Sequence, residues 1–346
     1  MEDKNKLNIL INFVVRENGG GVSTYAFEMA KGLIASNNNV FAIISENMDN
    51  IDLWKSLPFK KLLIIKGFSN TMQFLWETLL FKFKQGKLIK NIFSNIIFDA
   101  IYIPFILYWT PLINKKIKKK IIILSNTFRD YLIKKYKRDN DDIIHIPLGI
   151  QTYYDQYERN DYKPSWSYDE RKVNFLFYGQ ISKYKGLDVL ISAYKKVFQN
   201  SNDVTLTIIG NGDMSSYNNM IKGIQNISII NRWIENYEIP YIFKGKNIVT
   251  VCPYKTATQS GIIPLAMYYE SLVIATRTGG LVEQIRDNET GLLVNPNDVE
   301  DLSEIMKYVA SNIEQFNYII LNSKKFINNF TWDQLSSKIL EIIIKG

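Results

Sequence analysis

The stretch IVTVCPYKTATQSGIIPLA (248–266) reads as a strand that hands over to a helix. Ile248–Val251 are four β-favouring residues with the run expected of a buried strand, and Ile262–Tyr269 carry a helical pattern. Between them stand Thr256, Thr258, Gln259, Ser260 and Gly261, all small or polar, with Lys255 as the one charge. The loop offers no acid, base or nucleophile. Ser260 can cap the helix, which leaves the amides of Gly261, Ile262 and Ile263 expected to be free for an anion, and Gly261 lets a ligand approach the backbone. Such a loop suits the holding of an anionic group.

The same alternation extends in both directions. VNFLFYG (173–179) precedes a helix over 186–198, VTLTIIG (204–210) one over 215–224, and ISII (227–230) a short one over 235–243. LVIAT (272–276), GLLV (291–294) and helices from Asp298 complete the series. Near the start, LNILINFVV (7–15) is a near-continuous apolar run, RENGGG (16–21) a turn, and NNNVFAIIS (37–45) a second strand. Between the two strands, Ser23 or Thr24 can cap a helix with Ala26, Met29, Ala30, Leu33 and Ile34 on one face. Strands alternating with helices at this spacing predict an α/β chain with doubly wound parallel sheets. A length of 346 residues points to two domains. Residues 151–172 are polar and aromatic without aliphatic periodicity, so the linker is expected there, dividing the chain into 1–160 and 161–330. Two such domains face a cleft at the carboxyl ends of their strands, where ligands of open α/β sheets bind.

Composition narrows the function classes. At 46% hydrophobic and 22% charged residues the chain is of the soluble globular kind. One cysteine, Cys252, allows no internal disulfide and fits a reducing compartment. The first residues, MEDKNKLNIL, do not read as a signal peptide. The most apolar run, 101–113, holds two prolines and falls short of the roughly 20 residues a spanning helix needs. The net charge of +8 is concentrated: residues 60–138 hold 17 Lys and Arg against Glu77, Asp99 and Asp130, a local +14 against −6 elsewhere. Trp, Phe and Leu interleave with lysines in FLWETLLFKFKQGKLIKNIF (74–93), a pattern suited to an anionic membrane surface. A solvated lysine face is the plain alternative. Nucleic acid is not expected as a partner, because no recognition signature accompanies the charge.

Other turns fall at strand ends as well. GQISKYKG (179–186) sets Lys185 before a helix, where a cation opposes the helix dipole unless an anion joins it. GNGD (210–213) is a good turn in its own right. TRTGG (276–280) brings Gly279 and Gly280, followed by Glu283, which suits either a hydroxyl-accepting carboxylate or an ordinary first-turn glutamate. GGG (19–21) is a second candidate phosphate cradle but not the G-x-G-x-x-G fingerprint, which speaks against a nicotinamide-dependent oxidoreductase. His145, the single histidine, lies in an apolar run and reads as structural. No metal-ligand cluster and no nucleophile elbow is present in the sequence.

With these residues assembled, the chain resembles the GT-B retaining glycosyltransferases of family four, the group 1 glycosyltransferases, of the kind that builds bacterial surface polysaccharides. The matching segments are NGGGVSTYAFEMAKGL, IPLGI, FYGQISKYKGLDVLISAY, LTIIGNGD, the opening stretch, LVIATRTGGLVEQIRDNETGLLVNPND and FTWDQLSSKIL, in order along the chain. The resemblance implies two Rossmann-like domains, an acceptor side in 1–160, a nucleotide-sugar site in 161–330, and a last helix, 331–346, crossing back to the first domain. It implies donor contacts from Gly20, Gly21, Gln180, Lys185, Gln259, Ser260, Gly261, Ile262, Gly279, Gly280 and Glu283, with Lys185 catalytic. It implies no metal and no cofactor beyond the donor substrate, a lipid-linked or polysaccharide acceptor, and a cytoplasmic place on the inner membrane face, with residues 60–138 against the lipid. The chain departs from the family where an arginine is common (Gln180), where two glutamates are common (Ala257, Leu265), and where a histidine is common (Leu148). A front-face displacement, in which the leaving diphosphate takes the acceptor's proton, needs positioning and charge stabilisation rather than a side-chain base. The departures leave a second expectation standing, a catalytically silent relative that acts as a binding or partner subunit in glycan biosynthesis.

Overall fold

The computed structural model describes residues 6–13, 21–46, 48, 51–65, 96, 100–102, 121–150, 152–159, 161–199 and 203–345. The chain divides into two compact units, Met1–Leu148 with Thr331–Gly346, and Gly149–Phe330. The candidate membrane-facing residues lie for the most part outside the described residues, as does Gly20.

In the first unit, β1 (Asn8–Phe13), β2 (Asn39–Ser45), β3 (Lys61–Ile65) and β4 (Ala100–Tyr102) form a parallel sheet of order β3-β2-β1-β4. Ile9, Leu10, Ile11 and Phe13 are all buried, as a strand covered on both faces requires. Helix α1 (Gly21–Ala35) crosses from β1 to β2 and α2 (Ile51–Ser56) follows β2. The α1 helix begins at Gly21, so Ser23 and Thr24 lie inside it rather than capping it. Trp54 of α2 is fully buried between stacked Phe13 and Phe59 rings. A second, two-stranded parallel sheet pairs β5 (Ile121–Ile123) with β6 (Ile143–His145) around α3 (Arg129–Tyr136). His145 donates from Nε2 to the Leu124 carbonyl at 3.3 Å.

The second unit is built on six parallel strands: β7 (Val173–Tyr178), β8 (Val204–Ile209), β9 (Ile227–Ile230), β10 (Ile248–Cys252), β11 (Leu272–Thr276) and β12 (Leu292–Val294). Their order is β12-β11-β10-β7-β8-β9. Numbered within the unit this is 3-2-1-4-5-6, the dinucleotide-fold order, and the strand order reverses between β7 and β10. The connecting helices are α4 (Leu187–Phe198), α5 (Asn218–Ile221), α6 (Ile239–Ile242), α7 (Ile262–Tyr268) and α8 (Leu281–Gln284), followed by α9 (Val299–Asn312) and α10 (Asn317–Ile327). Helix α5 is shorter than the 215–224 read from sequence, because Gly223 takes a left-handed conformation and the chain leaves the helix at Lys222. Helix α6 is likewise confined to one turn. In α4, Asp188 occupies the first turn and Lys195 and Lys196 the last, matching the helix dipole. Asp298 caps α9 by accepting from the Asp301 amide.

The unit boundary corrects the expected linker. The described residues among 149–159, assigned from sequence to the first domain, belong to the second unit. Tyr153 and Tyr154 are buried, Asp155 accepts from the hydroxyls of Tyr268 and Tyr269, and Lys244 pairs with Glu158. Aromatic burial replaces the aliphatic periodicity whose absence suggested a linker. The last helix, α11 (Trp332–Lys345), belongs to the first unit and packs on α1, where Trp332 meets Tyr25 edge to face.

Candidate functional site

The ends of β7 and β10 flank the reversal of strand order, and both lead into loops rich in the residues singled out from sequence. After β7, the Gly179 amide donates to Ile209, Gln180 is exposed, and Ile181 bridges to Gly212 of the neighbouring loop. Asn231 clamps Gly212 from both sides, donating to its carbonyl at 3.0 Å and accepting from its amide at 3.1 Å. The chain then makes a single 3-10 turn, Lys183–Lys185, before α4.

Lys185 is 8% exposed. Its ammonium folds back over the end of β7: a Cβ built on Gly179 would lie 2.6 Å from Lys185 Nζ and 3.8 Å from Ile262 Cδ1. The space left by that glycine's missing side chain is therefore the space the ammonium needs. Nζ also sits over the Tyr254 ring, 5.2 Å from its centroid. Among the described residues no carboxylate pairs with Lys185, and burial pulls its pKa below the ordinary lysine value. Lys255, by contrast, is committed to structure, with Nζ donating to Asp188 Oδ2 at 2.6 Å and its amide to the Tyr184 carbonyl at 2.7 Å.

Cys252 ends β10, and Tyr254 and Ser260 follow it; all three are buried. Burial pushes the Cys252 thiol up to about 11 and the Tyr254 phenol well above its ordinary value, so both are neutral near pH 7. Ser260 Oγ accepts from the Ile262 amide at 3.2 Å and lies 3.3 Å from the Tyr254 hydroxyl. This corrects the expectation of three free amides at the start of α7, since that of Ile262 is occupied by Ser260. Gln284, which sequence reasoning missed, closes a pair with Ser260, donating from Nε2 to its carbonyl and accepting from its amide, each at 2.8 Å. The Gln259 Oε1 atom is buried without a hydrogen-bond partner.

The loop after β11 lies directly on the previous one. Thr276 Oγ1 donates to the Tyr254 carbonyl at 2.6 Å, and the Gly280 amide to the Ala257 carbonyl at 3.3 Å. Gly279 has φ +48, and a Cβ there would stand 1.7 Å from the Ala257 oxygen. The glycine pair thus joins two loops, with the Gly280 amide spent in doing so. Glu283 is half-buried in the first turn of α8. Lys185, Ser260, Ile262 and Tyr254 are brought together; Gln180 is exposed to solvent and uncharged; Gly21 opens α1 in the other unit.

Among the described residues no group of His, Cys, Asp and Glu could hold a metal ion, and no helix is long and apolar enough to cross a membrane.

Residues 158–326 match the family model of the Glycosyl transferases group 1. A curated relative, an uncharacterized glycosyltransferase of Methanocaldococcus jannaschii, is 28% identical over 225 residues, which is 62% of this chain and 62% of that protein. The match thus spans under two thirds of the relative's length. Among solved structures, a glycosyltransferase from Rickettsia africae superposes with a TM-score of 0.71 at 22% identity, covering 99% of this chain and 98% of the other. HepE of Anabaena, solved with UDP and glucose, superposes at 0.72 with 13% identity, covering 98% of this chain and all of that one. The chain has the GT-B fold in its two α/β units, and residues 158–326 within it are similar to the group 1 glycosyl transferases.

Proposed function

We propose that this chain is a retaining glycosyltransferase that moves a sugar from a nucleotide-sugar to a lipid-linked or growing surface glycan. The observation that carries the reading is Lys185: a buried ammonium without a carboxylate partner among the described residues, set where the strand order reverses. A diphosphate is the charge such a group lacks. The complex of a structural neighbour with UDP and glucose supports the ligand class. In the reaction, the bond from the sugar's anomeric carbon to the diphosphate oxygen breaks and one to the acceptor hydroxyl forms on the same face. The hydroxyl proton passes to the departing diphosphate. Lys185 stabilises the charge that develops there, and Gly261 lets the phosphates approach the backbone.

Thermal unfolding in the presence of UDP-, GDP- and dTDP-sugars tests this reading. At least one should raise the unfolding temperature, and Lys185→Ala should abolish most of the rise. In a turnover assay with that donor, Lys185→Ala should lower kcat about 10²–10³-fold. No shift with any nucleotide or nucleotide-sugar would count decisively against a donor site. The uncharged, exposed Gln180 favours a second reading, a silent binding subunit, which predicts donor binding without turnover across an acceptor panel.

A further inference from the structure

Tyr254 was not among the residues that sequence patterns single out, yet this one buried residue, 2% exposed, joins three loops at the strand ends through its ring, its hydroxyl and its carbonyl. Its ring takes Lys185 Nζ at 5.2 Å from the centroid and meets the Tyr184 ring edge-on at 6.1 Å, both in the loop after β7. Its hydroxyl reaches Ser260 Oγ at 3.3 Å within its own loop. Its carbonyl accepts from Thr276 at the end of β11. We propose that Tyr254 is the positioning residue of the donor site: its ring keeps the Lys185 ammonium charged and in place, and its hydroxyl fixes the Ser260 that opens α7.

This deepens the donor-site reading above and rests on it for the nature of the ligand. A buried ammonium needs compensation for lost water. A carboxylate would supply it but would also compete with an incoming diphosphate for the lysine. An aromatic face attracts the cation through its quadrupole and leaves the net charge intact. The ionisable groups around Lys185 keep to this logic. The thiol of Cys252, pushed up to about 11, is protonated near neutral pH and supplies no counter-charge. The phenols of Tyr254 and Tyr184 are both raised by burial and stay neutral. Gly179, whose missing Cβ leaves room for the ammonium, and Ile262, which flanks that same space, carry no charge.

The test uses the full chain as wild type, Tyr254→Phe and Tyr254→Leu, with two readouts. The first needs no ligand: acetylation of Lys185 by acetic anhydride across a pH series, followed by peptide mass spectrometry. Phenylalanine keeps the ring and should keep the wild-type midpoint. Leucine removes it, so the lysine pKa should fall and Lys185 reactivity near neutral pH should rise about three-fold or more. The second is calorimetric binding of UDP, GDP, dTDP and inorganic diphosphate. Tyr254→Phe should weaken the best of them about three- to ten-fold through the loss of one hydrogen bond, and Tyr254→Leu further. An unchanged Lys185 titration in Tyr254→Leu overturns the assignment, whatever happens to stability. Wild-type protein that binds none of the four probes sinks the donor-site reading instead, while the lysine titration still reports whether Tyr254 holds it.

Discussion

At Gly279 a single hydrogen decides whether two loops can touch. The backbone stands at φ +48, and a Cβ would come 1.7 Å from the Ala257 carbonyl oxygen. Gly279→Ala therefore meets both a left-handed strain and a backbone collision, and should lower stability by about 2–4 kcal/mol in chemical denaturation. Gly223 is the control, with φ +78 and nothing within 4 Å of its would-be Cβ. Alanine there bears only the conformational cost, about 1–2 kcal/mol. Equal losses at the two sites would refute the steric account. The pair of glycines at 279–280 was legible in the sequence as a strand-end turn, but its work of joining loops was not. The partner, Ala257, is 22 positions earlier and chemically silent. Gln284 and Tyr254 escaped for the same reason: each acts on Ser260 or Lys185 through adjacency of loops that no local pattern encodes.

Among elements, the segment 152–172 departs furthest from its sequence reading. Its polar and aromatic residues suggest a tether, but they form a strap along the second unit. Tyr162 donates to Glu238, Tyr168 donates to the Ile242 carbonyl at 2.6 Å, and Trp166 is buried. Glu238 is the anchor: 2% exposed at its side chain, it accepts two 2.7 Å bonds from Arg232, one from the Glu235 amide at 3.0 Å, and that of Tyr162. These donors, Arg232 first, hold its pKa down to about 2 from 4.5. The folded pKa lies below the unfolded one, so the contribution is fully present above about pH 4.5 and is lost as pH falls toward 2. Between pH 5 and 3 the wild type should lose about 2 kcal/mol through this residue, and Glu238→Gln should lack that component of the pH slope. Denaturant titrations at the two pH values measure it; parallel slopes in both proteins would remove Glu238 from the account. Where strands are continuous aliphatic runs, as in VNFLFY and VTLTII, sequence and structure agree closely. Where burial is achieved by tyrosines with bonded hydroxyls, polarity hides it.

At the scale of the whole molecule, the second unit is one continuous stretch and the first is not, since Thr331–Gly346 returns to it. The parallel order of the second sheet follows from its strand–helix alternation, which is why that half was readable from sequence alone. The resemblance carried in part by FTWDQLSSKIL implied that the closing residues return to the first unit, as they do; amphipathicity alone states that a face is buried and not against what. In α11 the buried positions Trp332, Leu335, Ser336 and Ile339 recur at helical spacing. Gly32 of α1 admits the helix closely, with a would-be Cβ only 3.0 Å from Ser336 Oγ and the Trp332 carbonyl. Tyr25 and Trp332 meet at 5.6 Å between ring centroids. Removing Trp332 should therefore cost about 3–5 kcal/mol, and the cost should fall on the first unit. Hydrogen exchange separates the two units: in Trp332→Ala the amides of β1 and β2 should lose protection while those of β7 and β10 keep theirs. Deletion of 331–346 should do the same more strongly. Equal loss of protection in both sheets would mean that the closing helix stabilises the chain as one cooperative body rather than completing the first unit.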